Sequence, residues 1–328
     1  MSLRNKLLIA GALGTFTLVF SRPYFAGGVC NIKKDLTGQV AIVTGSNTGI
    51  GKETARALAE MNATVVLACR DLNKAQAAAE EIKEQTPKSH VEVMKLDLTD
   101  LKSIKDFVNE FKSKHQNLNI LINNAGVMAI PERTLTKDGF ETQFGVNHLG
   151  HFYLTNSLLD VIKSSSASRI VNLTSMMHKG AQLEWDNLNG EKNYDMVKAY
   201  AQSKFANVVF TKELQKRVAD SNVKIVAVHP GVVKTELSRY TSEKWYYKIP
   251  VAIFNGPILA LFGKTPVQGA QTSLYCALED QSKLQGGGYY ADCQRANEDL
   301  ATLNEETGKK LWEESEKLIS SKISNQVA

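Results

Sequence analysis

An apolar run, Val40–Val43, leads straight into a glycine-rich turn, T-G-S-N-T-G-I-G, from Thr44 to Gly51. A strand that ends in such a turn and restarts as a helix fixes one handed connection, and few architectures accept it. The same alternation continues downstream. Gly51–Met61 reads as a helix, Thr64–Ala68 as a strand and Asp71–Gln85 as a helix. Val91–Leu96 is a third strand, Leu101–Lys114 a helix and Asn119–Ile122 a fourth strand. A long helix over Val146–Ile162 follows, then a strand at Arg169–Leu173 and a helix that carries Tyr200 and runs to about Val218. Lys224–Val228 and Gly288–Ala291 complete the strands, and Glu306–Ile319 reads as an amphipathic terminal helix. Near-continuous apolar strands between helices mean a parallel sheet covered on both faces. The expected fold is therefore a doubly wound, Rossmann-type α/β sheet in a single domain. Its ligand crevice lies beyond the carboxyl ends of the strands.

The 328 residues carry no repeat and no low-complexity linker. The expected division is a hydrophobic membrane anchor at 1–25, a linker at 26–37 and a dinucleotide-binding catalytic domain at 38–328. Net charge is +5, with Lys and Arg dispersed among acids; nucleic acid binding needs a concentrated basic stripe. Cys30, Cys69, Cys276 and Cys293 match no metal spacing and read as reduced thiols, so no metal site is expected. Leu7–Phe20 is uncharged and mostly apolar. As a helix it reaches ~21 Å against a bilayer core of ~30 Å. Flanking Arg4, Lys6 and Arg22 can snorkel to the interfaces. A retained anchor is the expectation; a cleaved signal peptide competes with it. A buried helix is disfavoured, because the core begins only near Val40.

The turn is spaced G-x-x-x-G-x-G, with Gly45, Gly49 and Gly51 admitting a close backbone approach and Ser46, Asn47 and Ile50 between them. Free N–H groups at the following helix start suit a pyrophosphate. At the end of the second strand, in VVLACRD, Cys69 stands where an NAD site places a carboxylate, and Arg70 follows. A guanidinium suits a 2′-phosphate, so NADP(H) is the expected cofactor. Asp71 either pairs with Arg70 or caps the next helix.

Tyr200 and Lys204 sit four residues apart in AYAQSK. The lysine is expected to favour the phenolate and to reach the nicotinamide ribose, making the tyrosine a proton donor and acceptor. Ser175 closes a strand where it can hydrogen-bond a substrate oxygen. Asn147 is polar within an apolar helix and either packs there or holds a relay water.

Together with NNAG (Asn123 to Gly126) and the H-P-G turn at His229–Gly231, these motifs resemble the short-chain dehydrogenase/reductase family. YFAGGVC, ACRD, LINNAGVM, GFETQFGVNHLGHF, AVHPGVV and YYADC narrow the resemblance to its membrane-anchored retinol dehydrogenases, over roughly Tyr24 to Leu318. The resemblance implies Tyr200 as general acid/base and Lys204 as its modulator and ribose ligand. It implies Ser175 as the group orienting the carbonyl and Asn147 as the relay. Asp97 and Leu98 would border the adenine, and the Asn124, Ala125 and Gly126 backbone the adenosine. Pro230, Gly231, Val232 and Thr235 would hold the nicotinamide and phosphate edge. Thr174-Ser175 replaces the subgroup's usual Ser-Ser pair, with Met176 and Met177 after it.

The resemblance implies a substrate lid after the sixth strand, where Trp245, Tyr246, Tyr247 and the apolar Ile249–Phe262 segment point to a hydrophobic substrate drawn from a membrane; ordinary core or a dimer-contact helix is the alternative. Met128 and Met177 are expected near its cleft. His148 and His151 read as packed or hydrogen-bonded side chains. The expected activity is NADP(H)-dependent interconversion of a lipophilic alcohol and its carbonyl, retinol and retinal first. A steroid, fatty aldehyde or xenobiotic carbonyl is the alternative, and a non-catalytic membrane scaffold the reading from another class. The endoplasmic reticulum membrane, with the domain facing the cytosol, is the expected location; the mitochondrial membrane and homo-oligomerisation stay open.

Overall fold

The computed structural model describes residues 26–234, 237, 263–298 and 304–324. The candidate anchor, Thr235 and the Trp245–Phe262 region lie outside them. No described helix is long and apolar enough to cross a membrane.

Six strand–helix steps lead into an eight-stranded sheet of order β3-β2-β1-β4-β5-β6-β7-β8. Its left half is β1 (Val40–Thr44), α1 (Gly49–Glu60), β2 (Thr64–Cys69), α2 (Leu72–Gln85) and β3 (His90–Lys95). Then α3 (Leu101–Lys114) crosses back to β4 (Ile120–Asn123), beside β1. The right half adds β5 (Arg169–Leu173), β6 (Lys224–His229) and β7 (Tyr289–Ala291), all parallel, with α7 (Met196–Arg217) and α8 (Pro266–Leu278) between them. Among the described strands of this sheet only β8 (Gln294–Arg295) runs antiparallel. Strand order reverses between β1 and β4, so the chain leaves these neighbours in opposite directions and opens a crevice at their carboxyl ends.

Strand alternation sends side chains into two cores. Ile42, Val66 and Leu121 pack with Ile104, Phe107 and Phe205 on one face. Ala41, Val43, Val65 and Ile122 pack with Ala55, Leu58 and Leu274 on the other. Residues 26–37, expected as a linker, lie along the domain: Leu36 is buried and donates its amide to the Met61 carbonyl at 2.7 Å.

The helix expected over Val146–Ile162 is differently built. It begins as a short turn, α4 (Thr142–Phe144), widens into a π-turn at Gly145–Leu149 and resumes as α5 (Gly150–Ser157). A break at Leu158 separates α6 (Leu159–Ser164). Two closely packed glycines bracket the widening. A Cβ on Gly145 would stand 2.6 Å from Thr136 Cγ2, and one on Gly150 2.9 Å from the Leu98 carbonyl oxygen. Apolar periodicity carries no sign of that insertion. Helix α8 is likewise not marked by apolar periodicity. Its signal was present in Thr265-Pro-Val-Gln268, a capping box with proline at the first turn.

The terminal helix α9 (Glu305–Ser324) packs on α7 through Leu311 and Trp312, with Phe152 and Phe210 against the indole. His148 lies inside this cluster, fully buried. The Ser315 hydroxyl donates to the Leu311 carbonyl at 2.7 Å, so its oxygen accepts from His148 Nε2–H at 2.9 Å. Burial depresses the His148 pKa to about 3 and that of His151 to about 4. The unfolded chain takes up these protons below about pH 6.5 while the folded one refuses them. Stability should therefore fall as pH drops from 6.5 towards 4. Each histidine contributes on the order of 2 kcal/mol of that loss at pH 5. His148→Phe should shrink the difference in Tm between pH 7 and pH 5; an unchanged difference would show that His148 is not responsible.

Candidate active site

A cavity of ≈ 340 Å³ opens at the β1–β4 reversal. Gly45, Asn47, Gly49, Ile50 and Gly51 form its floor, Arg70, Asp97 and Leu98 one end, and Asn124, Ala125 and Gly126 its side. Ser175, Tyr200, Lys204, Pro230 and Gly231 close the other end.

The floor is shaped for a close-lying anion. Helices α2, α3, α7 and α8 are each capped by a side chain, from Asp71, Asp100, Asp195 and Thr265. Helix α1 has none: Thr48 stands at its N-cap without a side-chain bond, and no acid lies in its first turn. Its free N–H groups border the cavity, as a phosphate site requires. The glycine at 51 is needed, since a Cβ would stand 2.5 Å from Asn124 Nδ2 and 2.6 Å from the Gly45 carbonyl oxygen. Ser46 departs from expectation. It is fully buried, donates to the Val43 carbonyl at 2.8 Å and does not line the cavity.

Asp71 takes the capping role, accepting from Lys74 N at 3.1 Å rather than pairing with Arg70. Arg70 is exposed at the cavity end, and Lys74 lines the same end. Lys74 was missed in the sequence; its one signal is its place four residues after Arg70.

The β1–β4 junction is fastened by Thr44. Its hydroxyl oxygen accepts the amides of Asn124 and Ala125, both at 2.9 Å. His151 Nδ1 lies 3.1 Å from the Asn147 carbonyl, which can only accept, so Nδ1 carries the proton. Nε2 then accepts the Thr44 hydroxyl at 2.9 Å. Asn147 is fully buried and does not line the cavity. Its side chain accepts from Val127 N and donates to the Val127 carbonyl and to Ser203 Oγ, each at 2.9 Å. That amide is fully occupied in joining the β4 loop, the π-turn and α7. Any relay role falls to its carbonyl, which His151 holds.

The pattern of the short chain dehydrogenases matches residues 39–245. Retinol dehydrogenase 11 of Mus musculus is 48% identical over 293 residues, 89% of this chain and 90% of that protein. The chain belongs to the short chain dehydrogenase family. A crystal structure of an uncharacterised protein from Mycobacterium paratuberculosis superposes with TM-score 0.71 at 34% identity, covering 89% of this chain and 97% of that one. A short chain dehydrogenase from Escherichia coli CFT073 complexed with NADPH shares the fold at 23% identity and TM-score 0.60, over 80% and 99% of the two chains. This dehydrogenase is thus an oxidoreductase of CH–OH and carbonyl groups, with a nicotinamide cofactor.

On α7, Tyr200 and Lys204 are both buried, and Lys204 Nζ lies 5.8 Å from the phenol ring centroid. The ammonium donates to the Leu173 carbonyl at 3.2 Å. The expected depression of the tyrosine is not what the structure gives. Burial pushes the phenol up to about 12, and the Ser175 hydroxyl pulls only partly against it. Burial also brings Lys204 down to about 8, so both groups resist charge in the free protein. Ser175 caps the 3₁₀ turn Met176–His178, accepting from Met177 N at 3.3 Å, and thereby faces the phenol side of the cavity. Val232 is exposed and outside the lining; Val127, Val146 and Val233 supply apolar wall that the motifs did not reveal.

Below about pH 8 Lys204 carries a proton and attracts an anionic nucleotide; above it the charge is lost. Affinity of the free protein for NADPH should decline as pH rises through 8, and Lys204→Met should flatten that decline. A titration followed by nicotinamide fluorescence checks it, and an equal slope in both proteins would refute it.

Proposed function

We propose that this dehydrogenase uses NADP(H) to interconvert a lipophilic alcohol and its carbonyl, with retinoids the first substrate class. The observation that carries the reading is the polarity of one cavity. Arg70 and Lys74 stand at one end, the uncapped α1 terminus along the floor, and Ser175, Tyr200 and Lys204 at the other end. Two cations and free amides suit a phosphorylated adenosine; the hydroxyl, phenol and ammonium suit a carbonyl undergoing reduction. The name of the 48% identical relative supports the retinoid class.

When bound, the nicotinamide supplies the hydride. Ser175 orients the carbonyl oxygen by donating a hydrogen bond. Tyr200 gives that oxygen its proton as the carbonyl carbon is reduced, leaving a phenolate for the Lys204 ammonium to stabilise. Oxidation runs the same transfers backwards and needs the phenolate first. A phenol held near 12 in the free protein stays protonated at neutral pH, the form that proton donation to a carbonyl requires. The exclusion of water by Leu173, Val127 and Val146 strengthens each of these electrostatic contacts.

The division into an anchor at 1–25 and a catalytic domain at 38–328 accompanies this reading, with the endoplasmic reticulum membrane as the source of substrate. Alkaline carbonate washing of membranes after deletion of residues 1–25 tests the anchor: the truncated protein should be released.

Detergent-solubilised protein should reduce all-trans-retinal with NADPH, and Tyr200→Phe should lower kcat by about 10³-fold without loss of nucleotide binding. Turnover of ketosteroids or alkyl aldehydes but not retinal would replace the substrate class and keep the mechanism. Retained turnover in Tyr200→Phe would refute the mechanism itself. Arg70→Ala should raise KM for NADPH about tenfold and leave KM for NADH nearly unchanged. Equal effects on both would remove the 2′-phosphate assignment.

A further inference from the structure

Lys264 is a buried lysine that the reaction scheme does not use, and it meets three separate stretches of backbone. Its amide donates to the Val232 carbonyl at 2.8 Å, and its carbonyl accepts from Lys234 N at 3.0 Å. This two-way bridge pins the residue beside the turn that follows β6. Its side chain then passes beneath Gly231, which lines the cavity. A Cβ on Gly231 would stand 2.7 Å from Lys264 Cδ, 2.8 Å from Cε and 3.0 Å from Nζ. The ammonium ends 2.6 Å from Asp292 Oδ1, on the β7–β8 turn.

The third stretch lies on top of this ion pair. Gly27 has φ +74°, and a Cβ there would stand 2.2 Å from Asp292 Oδ1 and 2.3 Å from Lys264 Nζ. A Cβ on Gly28 would stand 2.1 Å from the Asp292 carbonyl oxygen. The chain that arrives from the N-terminal segment thus crosses the pair with no room for a side chain. Lys264 is only 7% exposed, whereas the Asp292 side chain is half exposed. The lysine therefore depends on the aspartate more than the reverse, because an unpaired ammonium in that place loses its main counter-charge.

We propose that Lys264 is a positioning residue for the cofactor cleft: clamped by Asp292 beneath Gly27-Gly28, its stem props the Pro230–Gly231 turn. The proposal rests on the nicotinamide-nucleotide reading of that cleft. Lys264 touches none of the cavity and moves no proton. It sets where the turn stands, so its loss weakens nucleotide binding more than it slows a saturated enzyme. The same clamp makes the docking of the N-terminal stretch a condition for a well-formed cleft.

The test uses the full chain in detergent, with NADPH as probe. Direct titration gives Kd, steady-state kinetics at saturating NADPH give kcat, and thermal unfolding without nucleotide gives Tm. Lys264→Met keeps the stem and removes the charge. It should raise Kd about tenfold, equivalent to about 1.4 kcal/mol, with kcat within about twofold of the parent. Asp292→Asn suits the left-handed backbone at φ 50° and should raise Kd at least as much. The double variant should be no worse than the more affected single one, as expected of two groups acting as one unit. Gly28→Ala should shift Kd in the same direction.

Unchanged Kd in Lys264→Met and Asp292→Asn would overturn the proposal, as would shifts that multiply in the double variant. A fall in Tm with Kd intact would also overturn it, leaving the pair a stability element alone. If Lys264→Met does not fold, Asp292→Asn and Gly28→Ala decide. Failure of the unaltered protein to bind any nicotinamide nucleotide would instead refute the functional reading beneath it.

Discussion

The site hangs on the gap between β1 and β4. Two adjacent parallel strands whose chains depart in opposite directions cannot cover their own carboxyl ends, and the crevice left there must be stitched by side chains. Thr44 does so with one hydroxyl, accepting two amides from the β4 loop and donating to His151. Asn147 does so with one amide, joining that loop to α7. These are buried polar groups with their partners in place, and such networks fix one geometry where apolar packing would tolerate several. The phenol and ammonium of α7 inherit their position from them. A shift of the β4 loop would move Gly126, whose absent side chain leaves Lys204 Nζ within 3.6 Å of where a Cβ would stand.

Burial sets the electrostatics of the reacting end. Tyr200 and Lys204 both have their charged forms disfavoured, and neither compensates the other in the free protein. The other end is wet: Arg70 and Lys74 are exposed. The cavity thus grades from solvent-facing cations to a dry reaction end. An anionic ligand is drawn in from the wet side, where charge is cheap to hold, and chemistry proceeds where each hydrogen bond counts for more.

Much of this was legible in the chain. Apolar runs of four to six residues separated by helical spacing gave β1, β2 and β4 to within a residue at each end, because each is almost wholly buried and reads as near-continuous apolar sequence. The glycine turn and the Tyr200–Lys204 pair were legible because spacing on one helix or turn fixes their relation. What escaped was set by contacts distant in sequence. Ser46 sits within a cofactor-like motif, yet its hydroxyl turns back to Val43. The π-turn lies between two glycines packed against Thr136 and Leu98, neighbours that no local spacing reveals. The direction of the Tyr200 shift depended on how deeply α7 is covered, which no four-residue spacing contains. The β7–β8 hairpin is two residues deep and turns on Asp292 and Cys293 in left-handed conformations, which ordinary turn residues do not announce.

The bare N-terminus of α1 has a consequence for the lifetime of the protein. A helix end that leaves its amides for a ligand forgoes the ~1 kcal/mol a capping side chain supplies. The folded state then draws part of its stability from the nucleotide itself, about 2.7 kcal/mol when the free nucleotide stands at a hundred times its Kd. Locally unfolded molecules are the ones that proteases capture. The amount of this dehydrogenase in a cell would then follow the nicotinamide nucleotide pool, rising and falling with the supply its own reaction consumes.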